Sequence, residues 1–305
     1  MTRTTASNST NTSGAPKIKP LIVIVGETAS GKSALAMKLA QEFEGELICA
    51  DSRTVYKGMD IGTAKPSPAE QAKVRHHLLD IVEPNQDFTV ADFKRLALKT
   101  IGHIRRRGKL PIMIGGTGLY VDAVVFDYSF RAKYNDKIRR ELARKSLVEL
   151  QALVATAGFT TLSNGSNHRQ LVRVLESGQL PEDNRSAMID NVVIIGLSLP
   201  RAELRRRLKA RVELMFKQGL RREVERLVKT YGWEHEALTG IGYREFEGYY
   251  LRETSMAEVK RNIFQHSLNY AKRQRTWFKR NPAIVWFKDA DLVGAYIRDK
   301  LDKIV

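Results

Sequence analysis

Five short apolar runs separated by longer stretches of mixed pattern set the rhythm of this chain. Residues 21–25, 47–50, 111–114, 191–199 and 283–287 are dominated by apolar side chains and carry no charge, the pattern of strands covered on both faces. Between the first two, a helix is predicted over 32–43. Farther on, Val90, Phe93, Leu96, Ala97, Thr100, Ile101 and Ile104 recur at helical spacing behind Thr89-Val90-Ala91-Asp92, a capping signal, and the pattern stops at Gly108. Ser255-Met256-Ala257-Glu258 repeats that signal and opens a long helix reaching Phe278. Alternation of this kind predicts an α/β fold, a mostly parallel sheet flanked by helices, whose ligands gather at the C-terminal ends of the strands. Residues 130–189 break the rhythm with helical stretches near 136–144, 147–157 and 168–176, and predict a small helical insertion domain. The core is then 20–129 with 190–305. Residues 1–19, rich in Thr, Ser, Asn and Gly, are expected to be a disordered tail.

Directly after the first strand, Gly26-Glu27-Thr28-Ala29-Ser30-Gly31-Lys32-Ser33 fits G-x-x-x-x-G-K-[ST] at every fixed position. This makes the expected core P-loop NTPase-like. Glycines let successive backbone N–H groups turn inward onto phosphate oxygens, and the following helix aims its positive end at them. Lys32 adds a point charge, and Ser33 a hydroxyl suited to Mg²⁺. The third strand does not supply the acid that usually accompanies such a loop. It runs instead into Gly115-Gly116-Thr117-Gly118-Leu119-Tyr120, and the acid appears after a different strand, as Asp51. Asp51 is read as a displaced metal ligand or as a general base beside the phosphates.

Net charge changes the picture by pointing to a polyanionic partner: the chain carries +17, with an isoelectric point near 9.9. Residues 200–229 hold eleven basic against four acidic side chains, and residues 260–280 hold seven basic side chains and no acid. A solvated helix face usually mixes both signs, so the second run is a candidate contact for nucleic acid or a phosphorylated ligand. The single Cys49 excludes an intramolecular disulfide and fits a reducing cytoplasm. The apolar runs are too short for a membrane span, and zinc-type Cys/His spacing is missing. A monomer is expected.

Several further motifs occur in order. They are Asp51-Ser52, then Val55-Tyr56-Lys57-Gly58-Met59-Asp60-Ile61-Gly62-Thr63-Ala64-Lys65-Pro66, His76-His77-Leu78-Leu79-Asp80, the 115–120 segment, Ile241-Gly242-Tyr243-Arg244-Glu245, and Ala271-Lys272-Arg273-Gln274-Arg275-Thr276-Trp277-Phe278. With the phosphate loop, this series resembles the tRNA dimethylallyltransferase (tRNA isopentenyltransferase) family from about residue 21 to 280. The resemblance implies transfer of a dimethylallyl group from dimethylallyl diphosphate to N6 of adenine 37 beside the tRNA anticodon, with pyrophosphate released and Mg²⁺ as cofactor. A missing triphosphatase acid is then intelligible, because the loop would hold a leaving diphosphate.

The same resemblance implies the roles. Gly26, Thr28, Ala29, Ser30, Gly31, Lys32 and Ser33 would bind the diphosphate, Ser33 through the metal, and Asp51, Thr117 and Arg244 would act in catalysis. Asp51, Ser52, Arg53, Thr54 and Thr117, then Arg139, Arg169, Gln170, Leu171, Val172 and Arg173, then Arg273, Gln274 and Arg275 would meet tRNA. The chain departs from the family in having Thr54 where Gln is common, and in a weakened Asn167–Glu176 stretch where Arg173 still matches. His76 and His77 read as packing groups, and Trp277 and Phe278 as core. An adenylate isopentenyltransferase, which modifies a free nucleotide, has no need of the insertion or the acid-free basic helix. A P-loop nucleotide kinase, or a non-enzymatic RNA-binding ATP switch, would keep the loop but transfer no prenyl group.

Overall fold

The computed structural model describes residues 18–130, 136–159, 167–178 and 186–304. Most of the expected tail, residues 1–17, lies outside them. Six strands form one parallel sheet: β1 (Leu21–Gly26), β2 (Gly45–Ala50), β3 (His76–His77), β4 (Leu110–Gly115), β5 (Val192–Leu197) and β6 (Val285–Phe287), in the order β3-β2-β4-β1-β5-β6. β1 and β4 are buried at every position, as strands covered on both faces must be. The two-residue β3 was not anticipated as a strand. It lies at the sheet edge, where short pairing limits unwanted association. His77 Nε2 meets Glu46 Oε2 at 2.6 Å there.

The core unit's helices are α1 (Lys32–Glu42), α2 (Pro68–Lys73), α3 (Val90–Arg106) and α4 (Gly118–Val125). Those of the second unit are α5 (Asp136–Ala143), α6 (Leu147–Thr156) and α7 (His168–Ser177). The core then resumes with α8 (Arg201–Gln218), α9 (Leu220–Tyr231), α10 (Glu247–Tyr250), α11 (Met256–Phe278) and α12 (Asp291–Ile304). Both anticipated capping boxes form, Thr89 with Asp92 on α3 and Ser255 with Glu258 on α11. Apolar contacts of α1 and α12 with the sheet, through Leu35, Leu39, Ile22, Ile112, Val293 and Ile297, make the main core. A second cluster around Val55, Met59, Leu220, Tyr243, Phe246 and Ile263 fixes the loops beyond the strand ends.

The chain divides into two compact units, residues 126–188 and the remainder. Within 126–188, α6 and α7 bury Leu150, Val154, Leu171, Val172 and Val174 against one another.

Candidate active site

The phosphate loop leaves β1 at Gly26 and turns through Ala29 and Gly31, both with positive φ (63° and 96°), into α1. Left-handed backbone at a non-glycine residue is unfavourable and persists only where its surroundings hold it. Here the Glu27 carbonyl accepts both Ser30 N–H (3.1 Å) and the Lys32 ammonium (2.9 Å). Among the described residues no side chain caps α1, and its first turn has no acid, so the free N–H groups and the helix dipole form an anion site. The Ser30 hydroxyl is buried without a partner among the described residues. Burial, helped by repulsion from Arg211, holds the Lys32 pKa down to about 8, although Asp51 and Glu27 pull the other way.

Arg211 is the residue that the sequence reading missed. It projects from α8 with Nη1 3.1 Å from Thr28 Oγ1 and Nη2 3.4 Å from the Thr63 carbonyl, and burial pulls its pKa below the usual arginine value. In the sequence it is one of eleven basic residues within 200–229. The distinguishing signal is its position on the stripe formed by the buried residues Leu204, Leu208, Val212 and Met215, where a surface arginine has no place. Thr63 was likewise passed over. Its loop is held by Glu223, whose carboxylate accepts N–H from Asp60 (3.0 Å), Ile61 (2.8 Å) and Gly62 (3.0 Å) and the Tyr243 hydroxyl (2.8 Å).

Asp51 stands half-buried just past β2, with Oδ1 accepting N–H from Arg53 (2.8 Å) and Thr54 (3.3 Å). This fixes the carboxylate through its own turn. Thr117 secures the same turn, its hydroxyl accepting Ser52 N–H at 3.1 Å. The guanidinium of Arg53 is taken up by the Glu236 and Ala237 carbonyls, Glu236 Oε1 and the Thr239 hydroxyl. Thr54 is buried, and its hydroxyl has no partner among the described residues.

Two cavities meet at this point. One, of about 250 Å³, is walled by Arg53, Ile241, Arg244, Ser267 and Arg273; the other, of about 160 Å³, by Lys32, Ser33, Thr54, Gly116 and Gln274. Thr28, Asp51, Thr63, Arg211 and Tyr270 line both. The Tyr270 hydroxyl lies 3.4 Å from the Gly116 carbonyl, and burial pushes its pKa up to about 12, so it stays neutral.

This geometry bears on four of the expectations. Arg244, expected to act in catalysis, lines only the larger cavity, with Nε 3.2 Å from Glu245 Oε1, whereas Arg211 lines both. Gln274 is buried and spent within the protein, accepting Thr28 N–H (2.7 Å) and donating to the Gly116 carbonyl (2.9 Å). Arg275 is not free for RNA phosphate, because Nε and Nη2 pair with both carboxylate oxygens of the buried Glu27, and Nη2 also donates to the Leu199 carbonyl at 3.0 Å. Leu171 and Val172 are core residues of the 126–188 unit rather than surface contacts. Arg273 is exposed with its guanidinium 5.6 Å from the Tyr270 ring centre, Arg173 is exposed on α7, and Gln170 is half-buried there. Arg139 and Arg169 fall on α5 and α7, and their side chains lie outside the described set.

The sequence pattern of the IPP transferase family matches residues 54–281. A tRNA dimethylallyltransferase of Bacillus subtilis (strain 168) is 37% identical over 298 residues, spanning 92% of this chain and 95% of its own. That of Anoxybacillus flavithermus is 40% identical over 283 residues, spanning 89% and 91%. Among solved structures, the full-length tRNA isopentenylpyrophosphate transferase of Bacillus halodurans matches with a TM-score of 0.74 at 34% identity, over 94% of this chain and 98% of that one.

Proposed function

The chain belongs to the IPP transferase family, and from that premise we propose that it is a tRNA dimethylallyltransferase, moving a dimethylallyl group from dimethylallyl diphosphate to N6 of adenine 37 and releasing pyrophosphate. The observation that carries the reading is the seam between the cavities. Phosphate-binding groups lie on one side, exposed arginines on the other, and Asp51 is common to both.

On the smaller-cavity side, the loop N–H groups, Lys32 and Arg211 receive the diphosphate. Breaking the allylic C–O bond puts negative charge on that leaving group, and donors already fixed in place stabilise it as it develops. Ser33 at the start of α1 offers the smaller cavity a single hydroxyl oxygen, a sparse set. Such a set fits Mg²⁺, which keeps waters and substrate phosphates in its shell, and Mg²⁺ would neutralise part of the diphosphate charge. Adenine N6 is a weak nucleophile because its lone pair is delocalised into the ring. Asp51 accepts its proton as the N–C bond forms, and its turn holds the carboxylate in place for that transfer. Thr117 acts on that turn as a positioning residue.

The base reaches this seam only if it leaves the anticodon-loop stack, entering through the larger cavity past Arg244 and Arg273. The 126–188 unit contributes tRNA contact through exposed residues such as Arg173. The test is incubation with labelled dimethylallyl diphosphate, Mg²⁺ and either unmodified tRNA, AMP or ATP. Label in tRNA without added ATP is expected. Label only in free nucleotide would replace this reading with adenylate prenylation.

A further inference from the structure

Two consecutive residues of α11, Gln274 and Arg275, grip two consecutive residues of the phosphate loop, Thr28 and Glu27. Gln274 Oε1 accepts Thr28 N–H at 2.7 Å. Arg275 takes both Glu27 carboxylate oxygens, Nη2 lying 3.0 Å from Oε2, and the same nitrogen ties to the Leu199 carbonyl beyond β5 at 3.0 Å. Glu27 is only 2% exposed. A buried carboxylate inside an anion-binding loop opposes the loop's purpose unless it is neutralised, and the guanidinium does this in the fork geometry that suits a carboxylate. The Glu27 backbone carbonyl is also the hub onto which Ser30 N–H and Lys32 Nζ converge, ahead of Ala29 in left-handed conformation. Whatever fixes the Glu27 side chain therefore limits how that peptide can rotate.

We infer that Glu27 and Arg275 form an ion-pair clasp that positions the first turn of the phosphate loop for the diphosphate, making both positioning residues for donor binding. The inference rests on the proposed donor site. The clasp also explains why a helix rich in basic residues ends with one of them turned inward. Arg273, two positions earlier, stays exposed at the larger cavity, whereas Arg275 spends its charge on the loop.

The experiment measures inorganic pyrophosphate affinity by calorimetry for wild-type, Arg275→Lys, Arg275→Gln and the charge swap Glu27→Arg/Arg275→Glu, with donor KM and kcat and thermal melting alongside. Arg275→Lys keeps the charge but loses the fork, so it is expected to bind pyrophosphate about threefold to tenfold more weakly with little change in melting temperature. Arg275→Gln should weaken binding more than tenfold and raise donor KM more than it lowers kcat, and the swap should recover most of the affinity. A pair that merely stabilises the fold would lower melting temperature and leave affinity alone. If Arg275→Lys and Arg275→Gln both bind pyrophosphate as wild-type does, the clasp is overturned. If wild-type itself does not bind pyrophosphate, the donor-site reading falls and the clasp with it.

Discussion

The smaller cavity, beside the phosphate loop, holds its cations in place before any ligand arrives. Lys32 leans on the Glu27 carbonyl, Arg211 on Thr28 and Thr63, and Gln274 and Arg275 close over the loop from α11. Beyond Asp51, the larger cavity has Arg244 and Arg273 near solvent, one tied to a neighbouring glutamate and the other resting over a tyrosine ring. Buried charges act at short range in low dielectric and are strong and orienting; exposed ones are screened and individually weak. A small, dense diphosphate suits the first arrangement. An extended RNA backbone, which sums many modest contacts, suits the second.

That contrast breaks most visibly at Lys32. Lys32→Ala removes a buried charge aimed at the diphosphate and should weaken donor binding by about 2–4 kcal/mol, on the order of 30- to 1,000-fold. Isothermal titration with dimethylallyl diphosphate checks this, and tRNA affinity should stay nearly constant. Next in size is Arg211→Gln, expected to cost donor affinity roughly 10–100-fold because hydrogen bonds to charged groups contribute about 1.5–3 kcal/mol. A similar loss after Arg244→Gln would erase the distinction between the two arginines.

On the acceptor side the effects should be smaller and salt-dependent. Arg273→Gln should flatten the salt dependence of tRNA binding by roughly one unit of slope per lost phosphate contact, read from binding curves at several salt concentrations, with donor affinity unchanged. The mildest test is pH. Since burial holds Lys32 near 8, it is charged below that value, and the Lys32-dependent part of metal-free pyrophosphate affinity, wild-type relative to Lys32→Gln so that the ligand's own ionisation cancels, should be flat there. Above it the free enzyme loses the proton that the diphosphate needs, so that part should fall by up to about tenfold per pH unit. Lys32→Gln should abolish the inflection.

The phosphate loop itself was legible in the sequence because an eight-residue pattern specifies its backbone turn and the lysine and serine it presents. Asp51 was legible as an acid at a strand end, although its choice between base and metal ligand was not. Whatever is assembled from distant segments was obscure on both sides. On the donor side Arg211 meets Thr28 across 183 positions, and on the acceptor side Arg53 is consumed by residues 236–239. Counting charge could not separate Arg273, which faces out, from Arg275, which faces Glu27, since two positions on a helix turn a side chain by more than half a circle. Leu171 and Val172 were assigned by family position, although their apolar character already fitted the core they form.

Asp51 serves chemistry at the seam rather than holding the donor. Single-turnover prenylation of unmodified tRNA by Asp51→Asn, with donor affinity measured on the same preparation, tests this most directly. The expected result is a chemical step slowed by about 10²–10⁴-fold with dimethylallyl diphosphate binding nearly intact. Loss of donor affinity, with turnover restored at high Mg²⁺, would contradict it and make Asp51 a metal ligand.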